Sequence, residues 1–530
     1  MKPNAKSEVK FGKEARDSLM EGINLVCEAT ATTLGPRGRN VAIDYDYAHT
    51  VLHDGVSVSE AVIPADPYQR LGAKIIKEAA KKQRDVVGDG TTLTLILAQA
   101  IIKESLKVIE TGVNPMSLRR ELEQGSEKII KELEKIAKPV KTLREKVEVA
   151  TISAEDEYLG KIIAETLDSI GKDGVITVEE SKGSETIVEK QDGMQFDKGY
   201  MSPYFITDPR HMIATLEGSY ILVTDKNLTN FMDILPFLEN VFIKESHTIT
   251  IIAPEISTEV FGSFLQNKSE GKLLSLCILA PSFGANQKNI LQDIAILTGA
   301  TLISGEMGHR FQDLKMDQLG KAERITATKD ATLIVGGAGK PEDVQTRIES
   351  IKTQLLDLEV SEFDKEKLRE RLGKLSNGIA VLKVGGNTEV EMKERKERAI
   401  DAVSATQAAM EKGIVAGGEI AFMLALDSMG QPTELGSKIL ANAILQPFKR
   451  LVENAGYDAG ELKEQRLRFS PSSGFDVTDG KFKDLFKAGI IDPVLVCTEA
   501  LKNAVSVAVS VISTGASIIT LEEKKDKWNA

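Results

Sequence analysis

The segment Gly88-Asp89-Gly90-Thr91-Thr92 has the residue types and spacing best suited to chemistry in this chain. Its two glycines let the backbone approach a ligand closely, and its two hydroxyls add hydrogen-bond donors. Apolar residues recur at helical spacing from Thr91 through Leu95, Ile101, Ile102 and Leu106, so the segment opens a helix. A helix N-terminus presents unpaired N–H groups and the positive end of the dipole, which together attract an anion such as a phosphate. Asp89 would then hold Mg²⁺ against that phosphate, because Mg²⁺ takes carboxylate and phosphate oxygens. The same residues also read as a plain helix cap in which Asp89 only satisfies N–H groups. A second turn, Thr33-Leu34-Gly35-Pro36-Arg37-Gly38-Arg39-Asn40, joins a helical pattern to the strand-like stretch 41–44. It would wrap a nucleotide with its arginines near the phosphates, or serve as a helix C-cap and hairpin turn. The loop Asp54-Gly55-Val56-Ser57 supplies a further carboxylate after a β-like run.

Other chemistries find no support. Val335-Gly336-Gly337-Ala338-Gly339-Lys340 lacks the leading glycine of a Walker loop and continues into Pro341 where Ser or Thr must hold the metal. The five histidines, His49, His53, His211, His247 and His309, fall into no metal-ligand spacing, and no GxSxG elbow occurs. Cys27, Cys277 and Cys497 are far apart and form no CxxC pair, which suits a reducing, cytoplasmic setting without structural zinc. A net charge of −12 argues against a nucleic-acid partner. No run of about 18 apolar residues that would span a membrane is read from the sequence. The opening residues MKPNAKSEVKFGKEAR have no apolar stretch of the kind a signal peptide needs.

Elements must hold these loops in place, and 530 residues suggest about three domains. Residues 1–135 are helical by pattern: 71–83 carries Leu71, Ile75, Ile76, Ala79 and Ala80 on one stripe, and another helix runs over 116–136. Residues 400–455 and 497–515 are again helical. The middle has an α/β texture, with β-branched runs at 174–178, 248–253, 273–280, 301–304 and 332–335. Residues 341–375 are charged, with Val344, Ile348, Ile351 and Leu355 on one stripe and Leu368, Leu372 and Leu375 on another; with Ser361 as a cap, this predicts a helical hairpin. A helix–sheet–helix order suggests one domain inserted in another. Gly193, Gly378 and Gly413 stand where such an insertion would bend, as hinges or as ordinary turns. Tyr200, Tyr204, Phe205, Leu235, Leu238, Phe261 and Leu265 read by spacing as core residues or as an apolar surface for other proteins.

Taken together, these segments resemble the group I chaperonins of the GroEL type. The shared runs are TLGPRGRNV at 33–41, DGVSV at 54–58, GDGTT at 88–92, NPM at 114–116, KDGVITVEE at 172–180, GMQFDKGYMSPYF at 193–205, LQDIAILTG at 291–299 and TEVEMKERKERAIDA at 388–402. They are collinear over nearly the whole chain. The resemblance implies a multidomain α and α/β fold with a mainly helical equatorial ATPase domain from 1–135 and 412–530. A small α/β intermediate domain would use 136–192 and 379–411, and an inserted α/β apical domain 193–378. It further implies an ATP-dependent chaperone that assembles sevenfold rings, stacked in pairs, binds non-native polypeptides and is capped by a GroES-type co-chaperonin. ATP and Mg²⁺, with K⁺ as a further candidate ion, are the implied cofactors. By the family's pattern Thr33, Leu34, Gly35, Pro36, His53, Asp89, Gly90, Thr91, Thr92 and Leu93 would line the phosphates, with Asp89 on Mg²⁺. Gly418, Asp476, Val477, Thr478 and Asp492 would line the base and ribose. Asp401 would orient the attacking water, with Asp54 nearby. The seven apolar residues from Tyr200 to Leu265 would form the client- and lid-binding surface.

Several positions depart from that pattern. His53 stands where the family has Lys, Leu93 replaces a third threonine, Asp476 an Asn, and Gln266 an apolar residue. The stretch 281–287 has lost a glycine and its charges, the glycine-rich signature reads AAMEKGIVAGGE at 408–419, and residues 522–530 lack a Gly-Gly-Met tail. The alternative these changes favour is a paralogue that holds or scaffolds clients with weak or no ATP turnover.

Overall fold

The computed structural model describes residues 6–521 apart from 46–47, 171–174, 182, 192, 210–211, 241, 357–361, 377–378, 431, 461 and 463–472. Ser361, Gly378 and 522–530, singled out above, lie outside the described residues. The chain forms two compact units. The first is built from Met1–Glu165, Glu180–Thr186 and Val384–Ala530, the second from Thr166–Glu179 and Ile187–Lys383.

The first unit is helical around two central helices. Thr91–Ile109 and Val494–Ile512 are apolar on nearly every face, and each is buried accordingly. Val494–Ile512 is long and apolar enough to cross a bilayer, at a mean hydropathy of 1.5, which the sequence reading missed; yet 67% of that stretch is buried within the fold. Gly12–Ala31, Pro67–Val87 and Pro115–Ile136 pack around this pair with one apolar face each. Asp66 and Asn114 cap two of them, each followed by proline at the first helical position. The crossing of Gly12–Ala31 with Pro67–Val87 depends on two glycines: a Cβ on Gly22 would lie 1.8 Å from the Gln69 carbonyl oxygen, and one on Gly72 2.1 Å from that of Leu19. Strand Lys6–Phe11 pairs antiparallel with Ala516–Leu521, tying the two ends of the chain together. Leu143–Ala154, opened by a Thr142/Glu145 capping box, packs beside the long helix Glu389–Lys412. Gly413 ends that helix at φ +92°, a left-handed conformation natural to glycine.

The second unit is α/β. Its main sheet has six strands in the order Gly193–Phe196, Thr332–Gly337, Gly320–Ala327, Ala214–Val223, Thr248–Ala253, Leu274–Leu279. The last three are parallel, connected through helices, and two of them read as the unbroken apolar runs of strands covered on both faces. Gly193 is a strand residue whose place is explained by close packing, since a Cβ there would meet Ile379 at 2.1 Å. The stretch 301–304, expected as a strand, makes only a single bridge, Thr224 with Ile303. The expected helix pair is present as Pro341–Leu356 and Glu362–Ser376, with its stripes packed on the core. Between these two helices and Gly284–Thr298 sits a fully buried Asp293, held by Arg347 at 2.7 Å and by Arg371 at 2.6 and 2.9 Å.

Candidate functional site

A cleft of about 470 Å³ opens in the first unit. Its floor is the start of helix Thr91–Ile109. Gly88 and Gly90 both adopt positive φ, +79° and +81°, so the chain turns sharply from one helix into the next. Gly90 is the N-cap residue and no side chain caps the helix, which leaves its first N–H groups facing the cleft. Asp89 satisfies one N–H of the turn and leaves the start of the helix uncapped. One carboxylate oxygen accepts from Gly90 N–H at 2.5 Å and the other from Ser153 Oγ at 3.3 Å, and no side chain caps the helix that follows. Asp54 is committed differently: it caps Gly55–Ala61, accepting from Val56 at 3.1 Å and Ser57 at 2.7 Å. The two loops touch, since a Cβ on Gly55 would lie 2.3 Å from Thr92 Oγ1.

The long helix Glu389–Lys412 brings in Asp401. A Cβ on Gly88 would fall 2.3 Å from Ser404 Cβ, so this helix lies directly on the Gly88–Gly90 turn. Asp401, one turn earlier on the same face, therefore lines the cleft with Asp89. Behind the floor, buried Gln83 donates to the Asp89 carbonyl at 2.9 Å and accepts from Asn503 at 3.0 Å, fixing the loop from below. Burial raises the Asp401 carboxyl well above the ordinary range, and Asp89, Asp54 and Glu397 add to the rise against Arg84. Asp89 is raised too, by burial and by Asp54, against the bonds from Gly90 and Ser153. Shifted carboxyls gathered in a cleft recur at functional sites, which makes this cleft the candidate site.

Thr33, Leu34, Gly35, His53, Asp54, Asp89, Gly90, Thr91, Thr92, Leu93, Asp401 and Asp492 all line this cleft. The sequence reading missed Glu419, Glu155, Arg398 and Ser153, which line it as well. His53 holds Asn40 at 3.1 Å through Nδ1 and lies 3.7 Å from Glu155 through Nε2, while Arg398 reaches Glu155 at 3.2 Å. Pro36, Gly418, Asp476, Val477 and Thr478 fall outside the lining. Asp476 is turned to its own hairpin, bonded by Lys483 at 2.7 Å and by the Thr478 N–H at 2.8 Å. Burial opposes its ionisation, but these bonds outweigh that and hold its carboxyl low. Val477 is core, and the Thr478 carbonyl accepts from Arg37 at 2.8 Å.

In the second unit the apolar set divides. Tyr204 is 80% exposed, and Leu235, Phe261 and Leu265 are partly exposed at the edge of the core. Tyr200, Phe205 and Leu238 are buried, which corrects their assignment to a binding surface. Their positions explain this. Tyr200 N–H bonds the Thr328 carbonyl at 3.0 Å, the Phe205 ring lies 5.6 Å beneath Lys268 Nζ, and Leu238 packs within the core beside Phe237 and Phe242.

The fold and cleft together define a multidomain protein with an uncapped helix terminus set among carboxylates. The TCP-1/cpn60 chaperonin family profile matches residues 26–247 and 276–520, and the chain belongs to that family. Among solved structures it is similar to the chaperonin gp146 from the bacteriophage EL of Pseudomonas aeruginosa, crystallised in the presence of ATP-BeFx. One crystal form matches with a TM-score of 0.70 at 21% identity, covering 97% of this chain and 99% of that one. The other matches with a TM-score of 0.62 at the same identity and coverage. At that identity the likeness speaks for the chaperonin fold.

Proposed function

We propose that this chaperonin binds and hydrolyses ATP in the cleft of its first unit and couples turnover to the folding of non-native polypeptides. The observation that carries the reading is the uncapped start of helix Thr91–Ile109 between two raised carboxyls, Asp89 and Asp401. The helix terminus and the Thr91 and Thr92 hydroxyls bind the phosphates. Asp89 suits Mg²⁺, which needs only one or two protein carboxylates when phosphate oxygens complete its shell; no three-residue metal cluster exists among the described residues. Bound there, the ion would neutralise phosphate charge. Asp401, with no hydrogen-bond donor among the described residues, is the group left to orient a water and take its proton. On this reading the equatorial domain takes 1–135 and 412–530, the intermediate domain 136–192 and 379–411, and the apical domain 193–378. Rings of this chain, a GroES-type lid and a cytoplasmic setting complete it. Tyr204, with the exposed edges of Leu235, Phe261 and Leu265, offers the client surface.

The experiment is Mg²⁺-dependent ATP hydrolysis by the protein and by Asp401→Ala. We expect turnover to fall about 10²–10⁴-fold with ATP affinity within a few-fold. Equal loss of binding and turnover would sink the role of Asp401. No turnover in folded wild-type protein would favour a second reading, a client-holding paralogue. The observation behind that reading is His53, whose ring is occupied by Asn40 and Glu155 where a phosphate-binding cation is expected.

A further inference from the structure

Gln83 lies behind the floor of the cleft, near the end of helix Pro67–Val87, and is fully buried. Asn503, two turns into helix Val494–Ile512, is buried beside it. The Gln83 amide admits one arrangement. Its Nε2 faces two carbonyl oxygens, that of Asp89 at 2.9 Å and that of Val496 at 3.3 Å. Carbonyls only accept, so the nitrogen must be the atom turned to them. Oε1 is then left to accept from Asn503 Nδ2 at 3.0 Å. Asn503 Oδ1 has no partner among the described residues, so the bond to Gln83 is what fixes this buried amide. Gly90 closes the fit, since a Cβ there would lie 3.1 Å from Gln83 Nε2 and 2.5 Å from Val496 Cγ1.

The peptide joining Asp89 to Gly90 is trans, so its carbonyl and its N–H point in opposite directions. Gln83 holds the carbonyl beneath the floor. The N–H is thereby aimed away from Gln83 and at the Asp89 carboxylate, to which it donates at 2.5 Å. One peptide plane thus connects a buried amide to the carboxylate that suits Mg²⁺. We propose that Gln83 is a positioning residue for the metal. By fixing the Asp89–Gly90 peptide plane, with Asn503 orienting its amide, it sets the direction in which Asp89 presents its carboxylate. Ser153 holds the other carboxylate oxygen at 3.3 Å, a longer and weaker restraint. The inference rests on the ATP reading and adds to it the group that aims the metal ligand.

The test is calorimetric titration with the ATP analogue AMP-PNP, in Mg²⁺ and in EDTA, of the full chain and of Gln83→Met, Asn503→Leu and the double variant. Gln83→Met keeps the length of the side chain and removes its amide. In wild-type protein Mg²⁺ should tighten AMP-PNP binding. Gln83→Met should lose about ten- to hundredfold of that gain, as when the partner of a metal ligand is removed, with affinity in EDTA kept within about twofold. Asn503→Leu, which leaves Gln83 in place but unoriented, should lose less. Replacing both amides by apolar groups of like shape should return part of the thermal stability that Gln83→Met loses, but not the Mg²⁺ gain. A gain that recovers with stability in the double variant would show that Gln83 only packs, and would overturn the proposal. So would an unchanged gain in Gln83→Met, or no Mg²⁺ gain in wild-type protein. Should Gln83→Met fail to fold, the double variant decides between the same outcomes. Wild-type protein that binds no AMP-PNP in either condition would overturn the ATP reading itself, and this proposal with it.

Discussion

Among the carboxylates of the cleft, Asp54 and Asp89 accept hydrogen bonds from described residues, whereas Asp401, Glu419 and Asp492 have no donor among them. Asp401, Glu419 and Asp492 hold their protons more tightly folded than unfolded, because burial and mutual repulsion penalise their charged forms. Their contribution is therefore fully present below the ordinary carboxylate range and is lost as pH rises through the raised folded values. Asp401→Asn should raise the unfolding midpoint of ligand-free protein by a few degrees at about pH 8 and leave it unmoved at about pH 4. Thermal scans at both pH values check this, and equal shifts would show that charge is not the cause. Glu419→Gly should also stabilise the ligand-free chain, by about 1 kcal/mol, by releasing a left-handed non-glycine residue. Denaturant titration reads that difference.

At the scale of elements, helix crossings and buried ions set what each unit tolerates. Gly72→Ala would drive a methyl into the Leu19 carbonyl where Pro67–Val87 crosses Gly12–Ala31, and should destabilise the protein by about 1–3 kcal/mol or more. In the second unit, Asp293→Ala would strand the nearly buried Arg371 beside Arg347, with an expected loss of about 3–5 kcal/mol. Urea unfolding followed by circular dichroism measures both, and a loss below 1 kcal/mol in either would refute the packing or ionic account. The helix start at Thr91 and the helix bodies over 71–83 and 116–136 were legible because helical periodicity is a local signal, whereas the caps Asp66 and Asn114, which set where two of those helices begin, went unread. Legible too were the parallel strands, whose apolar runs need no partner to be recognised. Gly320–Ala327 was not, because GKAERITA alternates only once its neighbours cover one face. Glu419 escaped notice because its meeting with Asp492 is made by strands far apart in sequence. Tyr200, Phe205 and Leu238 show the opposite failure: their spacing pointed to core packing, and the family likeness alone had moved them to the surface.

For the whole molecule, the chaperonin class was readable because collinear motifs span the chain, while the proposed client surface rests on a few exposed side chains. Tyr204 is one of these, and Tyr204→Glu should weaken capture of an unfolded test protein at least about tenfold while leaving the unfolding midpoint in place. Retained capture, read by suppression of aggregation, would place client binding elsewhere. Strand Lys6–Phe11 has its partner in Ala516–Leu521, and the second unit is inserted between the parts that make up the first. During synthesis the earliest strand to emerge must wait about 500 residues for its neighbour, on the order of half a minute or longer at 5–20 residues per second. Throughout that interval it is an open edge, able to pair with the wrong chain. A protein of the folding machinery thus spends its own birth as a nascent chain in need of shelter.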